Sequence, residues 1–169
     1  MPLGVARAEG EIQKIAEKMG ARIEWGKRFQ TLSECVMKDS QGNSVEMDFA
    51  LDMPNRLEPI ITGKAYGMAL DNLTDIAVNK LSALYERSAS KDFVDIFFLL
   101  KEKFSFEDLW RLAQKKYSQL DLYGLSVAFF RVKDLQKMPR MVRPVNVEEL
   151  KGYFLQKAKE ITQNFRKPP

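Results

Sequence analysis

The chain has 169 residues, 45% of them hydrophobic, with 27 Lys/Arg against 23 Asp/Glu and a net charge of +4. This is enough for one domain, or one small domain with a helical appendage, around a sizeable core. No histidine occurs, which excludes histidine triads, histidine bases and histidine metal ligands and leaves acid–base or metal chemistry to carboxylates, lysine or tyrosine. The single cysteine, Cys35, excludes an internal disulfide and suits a cytoplasmic protein. No apolar run is long enough to span a bilayer, so no membrane partner is expected.

Residues 1–9 read as a loose or partly helical lead. Gly10 to Gly20 reads as a first helix, with Ile12, Ile15, Ala16 and Met19 as its apolar face and Gly20 as its stop. Three strand signals follow. Ala21-Ile23-Trp25 alternates with Arg22 and Glu24, and Phe29 to Met37 is rich in β-formers. Val45, Met47, Phe49 and Leu51 alternate with Glu46, Asp48, Ala50 and Asp52. Asp39 to Asn43 is a turn cluster in which Gly42 takes positive φ, so the last two strands form an antiparallel hairpin. Cys35, inside a strand, reads as packing. Glu46 and Asp48, two apart on a strand, point the same way. They either share a divalent ion or form the wet face of a sheet.

Pro54-Asn55-Arg56 and Glu58-Pro59 mark a loop, and Ile60-Ile61-Thr62 a short strand. Gly63, Lys64 and Gly67 lack the spacing of a phosphate loop and read as a plain connection. Asp71 to Lys103 then reads as two helices joined by a short polar link. Asp71 or Asn72 caps the first, Ser88-Ala89-Ser90 ends it, and Ser90 caps the second with Asp92 in its first turn. Leu73, Ile76, Ala77, Leu81 and Leu84 form a buried face in the first helix, and Lys80 falls in the same series. The second helix is apolar almost all round from Phe93 to Leu100, with Asp95 inside the run and on the face of Asp92. Lys80 and Asp95 are opposite charges on neighbouring helices. Either they form a structural ion pair that sets the register of the helices, or they belong to a site where a cation and carboxylates converge.

Ser105 caps a third helix through the S-x-x-D box that ends at Asp108 and runs to about Tyr117. Asp121 opens a fourth that continues to about Leu135. Its inward residues are Leu122, Leu125, Phe129 and Val132, and Gly124 permits close packing. Met138 to Pro144 is a basic loop. Glu148 to Phe165 is the last helix, with Leu150, Phe154, Ala158 and Ile161 as its face. From Lys133 to Pro169 there are nine Lys/Arg and four Asp/Glu. Such a tail fits RNA or another polyanion, or is a solvated face.

D-I-A-x-x-K-L-x-A-L-x-x-R at Asp75 to Arg87, followed by K-D-F-V-D-I at Lys91 to Ile96, resembles the third and fourth motifs of the AbiEii/AbiGii-type nucleotidyltransferase toxins, of the DNA polymerase beta-like superfamily. The resemblance in layout runs from about Gly10 to about Leu135. It implies transfer of NMP from NTP to an acceptor, RNA foremost, with Mg²⁺, and a toxin–antitoxin setting with a cognate antitoxin. It implies Lys80 as the contact to a nucleotide or pyrophosphate oxygen, with Asp92 and Asp95 holding it in place. The resemblance also implies Asp48 as the strand-borne metal ligand; in such a site Arg87 is expected to tie the helices together and Lys91 to serve an anion at the helix start. The family's Gly-Gly or Gly-Ser motif and its D-x-D pair, which would precede Gly10, have no counterpart in residues 1–169. A truncated or degenerate member is therefore expected, weak or inactive alone, with the missing part lost or supplied by another chain. A sheet without its D-x-D strand exposes an edge, so a homodimer or a partner covering that edge is expected. The fold expected is α+β: residues 1–62 as the remnant of the nucleotidyltransferase α/β part, with a small mostly antiparallel sheet and a packed helix, and 63–169 as a helical bundle. The alternative to an enzyme is a non-catalytic remnant or a partner-binding module.

Overall fold

The computed structural model describes residues 4–51, 55–63 and 68–165. The chain divides into two compact units, Met1–Pro54 and Asn55–Pro169. The class is α+β.

The first unit is α1 (Gly4–Met19) followed by β1 (Arg22–Arg28), β2 (Leu32–Lys38) and β3 (Ser44–Ala50). The strands form an antiparallel sheet in the order β1-β2-β3. The expected β2–β3 hairpin is present. Its turn is closed by the Asp39 carboxylate, which accepts from the backbone N–H groups of Gln41 and Asn43 at 2.8 and 2.9 Å, and Gly42 has φ +87°. Burial alternates along β2: Ser33, Cys35 and Met37 face inward, and α1 packs on the sheet with Val5 and Ala16 buried. The face expected for α1 is corrected here. Ile15 and Met19 are 46% and 64% exposed. The helix starts at Gly4, so Val5, Ile12 and Ala16 set the inward stripe at i, i+7 and i+11, and Ile15 and Met19 fall beside it. Burial pushes the Cys35 thiol up, with the Asp48 and Glu9 charges adding to it, in keeping with a packing role.

The second unit opens with a two-stranded antiparallel hairpin, β4 (Ile61–Gly63) and β5 (Met68–Leu70). The strand expected at 60–62 overlaps β4, while β5 is too short to show a period. Lys64 and Gly67 lie outside the described residues. Five helices follow: α2 (Leu73–Arg87), α3 (Ser90–Glu102), α4 (Phe106–Lys116), α5 (Leu122–Phe130) and α6 (Val147–Phe165). α5 stops at Phe130 and passes into a 3-10 turn, Arg131–Asp134, instead of continuing as one helix to Leu135. The core is aromatic at its centre. Phe154 meets Phe93 and Phe129 edge-to-face, each at 5.0 Å between ring centroids, with Leu81, Leu84, Ile96 and Leu125 packed around them. Leu150, Phe154, Ala158 and Ile161 of α6 are all buried, as their spacing requires. α5 lies close to α2 because Gly124 faces the Tyr85 ring. A Cβ at that position would stand 2.3 Å from the Tyr85 hydroxyl, which itself donates to Asp121 at 2.9 Å.

Candidate functional site around Lys80

The site is built where α2 turns into α3. Asn72 caps α2 and accepts from the Asp75 N–H at 2.9 Å. Ser88 ends the helix in the left-handed region at φ 50°, its N–H returning to the Leu84 carbonyl at 3.0 Å. Ala89, not Ser90, is the cap of α3, and no side chain bonds there. The two-residue link folds α3 back along α2, so residues two turns before the end of one helix meet the first turns of the other.

Lys80 Nζ lies 2.7 Å from Asp95 Oδ2 and 3.9 Å from Asp92 Oδ1. Asp92 is fully buried, whereas the Lys80 and Asp95 side chains are 33% and 43% exposed. The expectation that Asp95 is buried is thus corrected. α3 is not apolar all round in its packing, because Asp95 and Lys91 open to solvent while Phe93, Ile96 and Phe97 turn inward. Likewise Leu73 and Ile76 are 44% and 40% exposed, so the row that carries Lys80 is the rim of α2 and not its buried face. Of the expected face Ala77, Leu81 and Leu84 are buried, and Val78 joins them in place of Leu73 and Ile76.

Arg87 performs the tie expected of it. Its Nε and Nη2 donate to the two oxygens of Asp92 at 2.7 and 2.9 Å, a bidentate pair, and the Asp92 carboxylate raises the Arg87 guanidinium above its ordinary pKa. Asp92 is therefore already neutralised. The Lys80 ammonium leans on the more exposed Asp95 and remains open to a third charged group. Lys91 is exposed one residue before Asp92 and has no ion-pair partner among the described residues.

A second buried charge went unnoticed in the sequence. Asp75 is fully buried and pairs with Lys116 of α4, whose side chain is 5% exposed. The same carboxylate accepts from the N–H groups of Leu57 and Glu58, each at 3.1 Å, and from Asn72 Nδ2 at 2.9 Å. Burial alone pushes this carboxyl up, but Lys116, Leu57, Asn72 and Glu58 together outweigh it and hold it well below the usual range. The spacing Asn72-x-x-Asp75 is a capping-box signal that could have drawn attention to it. Its cationic partner, 41 residues on, leaves no local trace.

Asp48 lies in the other unit. On β3 it stands opposite Glu34 of β2, and Glu46 stands opposite Val36. With Glu24 these carboxylates line a cleft of about 480 Å³, which Trp25, Cys35 and Val36 also border. Glu46 and Asp48 share one face of the sheet, as their spacing requires. Among the described residues no group of three or more Asp, Glu or Cys is placed to hold a metal ion. No helix among them is long and apolar enough to cross a membrane.

Comparison with curated proteins and with solved structures returned no match. The family model described as "Nucleotidyl transferase AbiEii toxin, Type IV TA system" matches residues 4–166, nearly the whole chain, and both helices of the Lys80 site lie inside it. The chain belongs to the AbiEii nucleotidyltransferase toxin family.

Proposed function

We propose that this protein transfers an NMP unit from an NTP to an acceptor, RNA foremost, and that Lys80 holds a phosphate or pyrophosphate oxygen during the transfer. The observation that supports this most is the Lys80 ammonium, 2.7 Å from Asp95, partly exposed, in a chain of this family. A lysine serves phosphate as a compact point charge and needs a carboxylate to aim it. Asp95 aims it. Asp92, clamped by Arg87, fixes the start of α3 beneath it. Lys91 adds positive charge at the same helix start, where an anion is favoured.

Family membership points to metal-dependent transfer with Mg²⁺, and Asp48 is the strand-borne ligand under this reading. The described carboxylates do not by themselves fit such an ion, so the steps assigned here are those of Lys80, Asp92 and Asp95 alone: binding and orienting the phosphates. The toxin–antitoxin family also implies a cognate antitoxin. Among the described residues no strand covers the outer edge of β1 or β3, so a second copy could pair there. The alternative, a non-catalytic module that binds a partner through the same helices, is favoured by one observation: no three carboxylates among the described residues are placed to hold a metal ion together.

Calorimetric titration of NTP with Mg²⁺ tests the reading. Removing a charged hydrogen-bond partner costs about 1.5–3 kcal/mol, so Lys80→Ala weakens binding on the order of ten- to a hundredfold. Equal affinity in the parent and in Lys80→Ala removes Lys80 from the site. The double variant Lys80→Met with Asp95→Leu, which replaces a partly exposed pair by apolar groups, folds about as well as the parent.

A further inference from the structure

A second concave surface lies in the same unit, beside Asp95. The segment 139–143 runs against α3 and encloses a cleft of about 360 Å³, bordered by Lys91, Asp95, Phe98, Arg140, Met141 and Arg143. Its lining joins the apolar Val94, Phe98, Met141 and Val142 to the cations Lys91, Arg140 and Arg143, with Asp95 the one acid among them. The Arg143 guanidinium stacks on the Phe98 ring at 4.6 Å from the centroid and is anchored by Glu102 at 2.7 Å, so one flat cationic face is held in place. Arg140 is exposed and makes no ion pair among the described residues. Between them Val142 is 102% exposed, an apolar side chain wholly in water at the lip of a basic cleft. In the chain before this segment, Arg131, Lys133 and Lys137 are exposed.

We propose that this cleft seats single-stranded nucleic acid, its phosphodiester backbone along Arg140 and Arg143 and a base against the Arg143–Phe98 stack. Two features select this ligand. A planar guanidinium fixed on an aromatic ring is a platform for a base, which stacks on such planes in single strands. The apolar lining of Val94, Phe98, Met141 and Val142 suits an unpaired base. The assignment deepens the transfer reading, because Asp95 belongs both to this cleft and to the Lys80 pair, so a strand seated here ends beside the proposed phosphate site.

The test is fluorescence anisotropy of the full chain with a labelled twelve-nucleotide RNA, without NTP, over a range of salt. Each phosphate contact to a single strand contributes a slope of about −0.7 in log K against log salt. Arg140→Gln with Arg143→Gln therefore lowers the slope by about 1.4 and weakens binding. Arg143→Lys keeps the slope but loses the plane, and weakens binding on the order of tenfold. Both residues are exposed, so folding is not at stake. Unchanged affinity and slope in the double variant overturn the proposal. So does equal affinity for a duplex of the same sequence, or displacement of the strand by an equimolar NTP, which would make the cleft a mononucleotide site. Lys80→Ala separates the two readings: strand binding retained with NTP binding lost supports both assignments, whereas strand binding lost with NTP binding kept overturns this one.

Discussion

At the scale of single residues, the two completely buried carboxylates among the described residues, Asp75 and Asp92, are treated differently. Asp92 is held by Arg87 and, at 3.9 Å, by Lys80, two side chains that themselves reach solvent. Asp75 is closed off: every donor it meets comes from the protein, and it joins the 57–58 loop, the cap of α2 and the end of α4. Its role is structural. Removing one partner of a buried pair leaves the other charge without compensation and costs about 3–5 kcal/mol. Asp75→Ala should lower the urea unfolding free energy by that amount, because Lys116 stays buried and three donors lose their acceptor. A loss within about 0.5 kcal/mol, the range of ordinary surface changes, would show that Lys116 escapes to solvent at little cost.

At the scale of elements, close approach of α5 to α2 rests on the missing side chain at Gly124. An added methyl meets the Tyr85 ring, which cannot move without leaving Asp121. Overpacking of this kind costs about 1–3 kcal/mol. Gly124→Ala should destabilise by that amount in the parent and far less in Tyr85→Ala, a coupling that a double-mutant cycle of unfolding free energies measures directly. Strict additivity of the two substitutions would mean that the helices separate easily. Gly124 also shows what could be read in advance. A glycine in an apolar helix announces close packing, and the faces of α5 and α6 follow from a period of 3.6 because both helices lie against one broad core. The α1 face could not be read correctly, because its register depends on a start at Gly4 that no cap marks. The row Leu73, Ile76, Lys80 has the spacing of a buried stripe yet forms the rim of α2, since spacing tells which residues share a face but not which of two apolar faces the core takes. The Lys80–Asp95 pair was visible because both charges interrupt apolar runs on adjoining helices. Lys116 and the Arg143–Phe98 stack were not, because each joins segments far apart in the chain.

At the scale of the whole molecule, the two units differ in what holds them. The second has a continuous core of aromatic and aliphatic side chains. The first buries little beyond Val5, Ala16, Cys35 and Met37, a small apolar area for a helix and three strands. Part of its cohesion is electrostatic. Arg28 donates through Nε and Nη2 to Glu9 at 3.1 and 2.6 Å, linking α1 to β1, and lies over the Trp25 ring at 4.9 Å. The hydrogen bond from Arg28 lowers the Glu9 pKa to about 2 from an ordinary 4.5. A carboxyl lowered on folding stabilises the folded form above its unfolded pKa, and that contribution fades as pH falls from 4.5 towards 2, where the unfolded chain binds the extra proton. Local opening free energies should therefore rank the units. Amide hydrogen exchange at pH 7, corrected for intrinsic rates, should show weaker protection in α1 and β1 than in α3, α5 and α6. At pH 3 the protection of α1 and β1 should fall further, and Glu9→Gln should already show the weaker protection at pH 7 and respond less to acid. Equal protection in the two units at pH 7 would mean that they open together, so that the larger core stabilises the smaller one. The same acid response in Glu9→Gln would place the proton uptake elsewhere. The Asp75 carboxyl, held below its ordinary range, is then the group to test in the second unit.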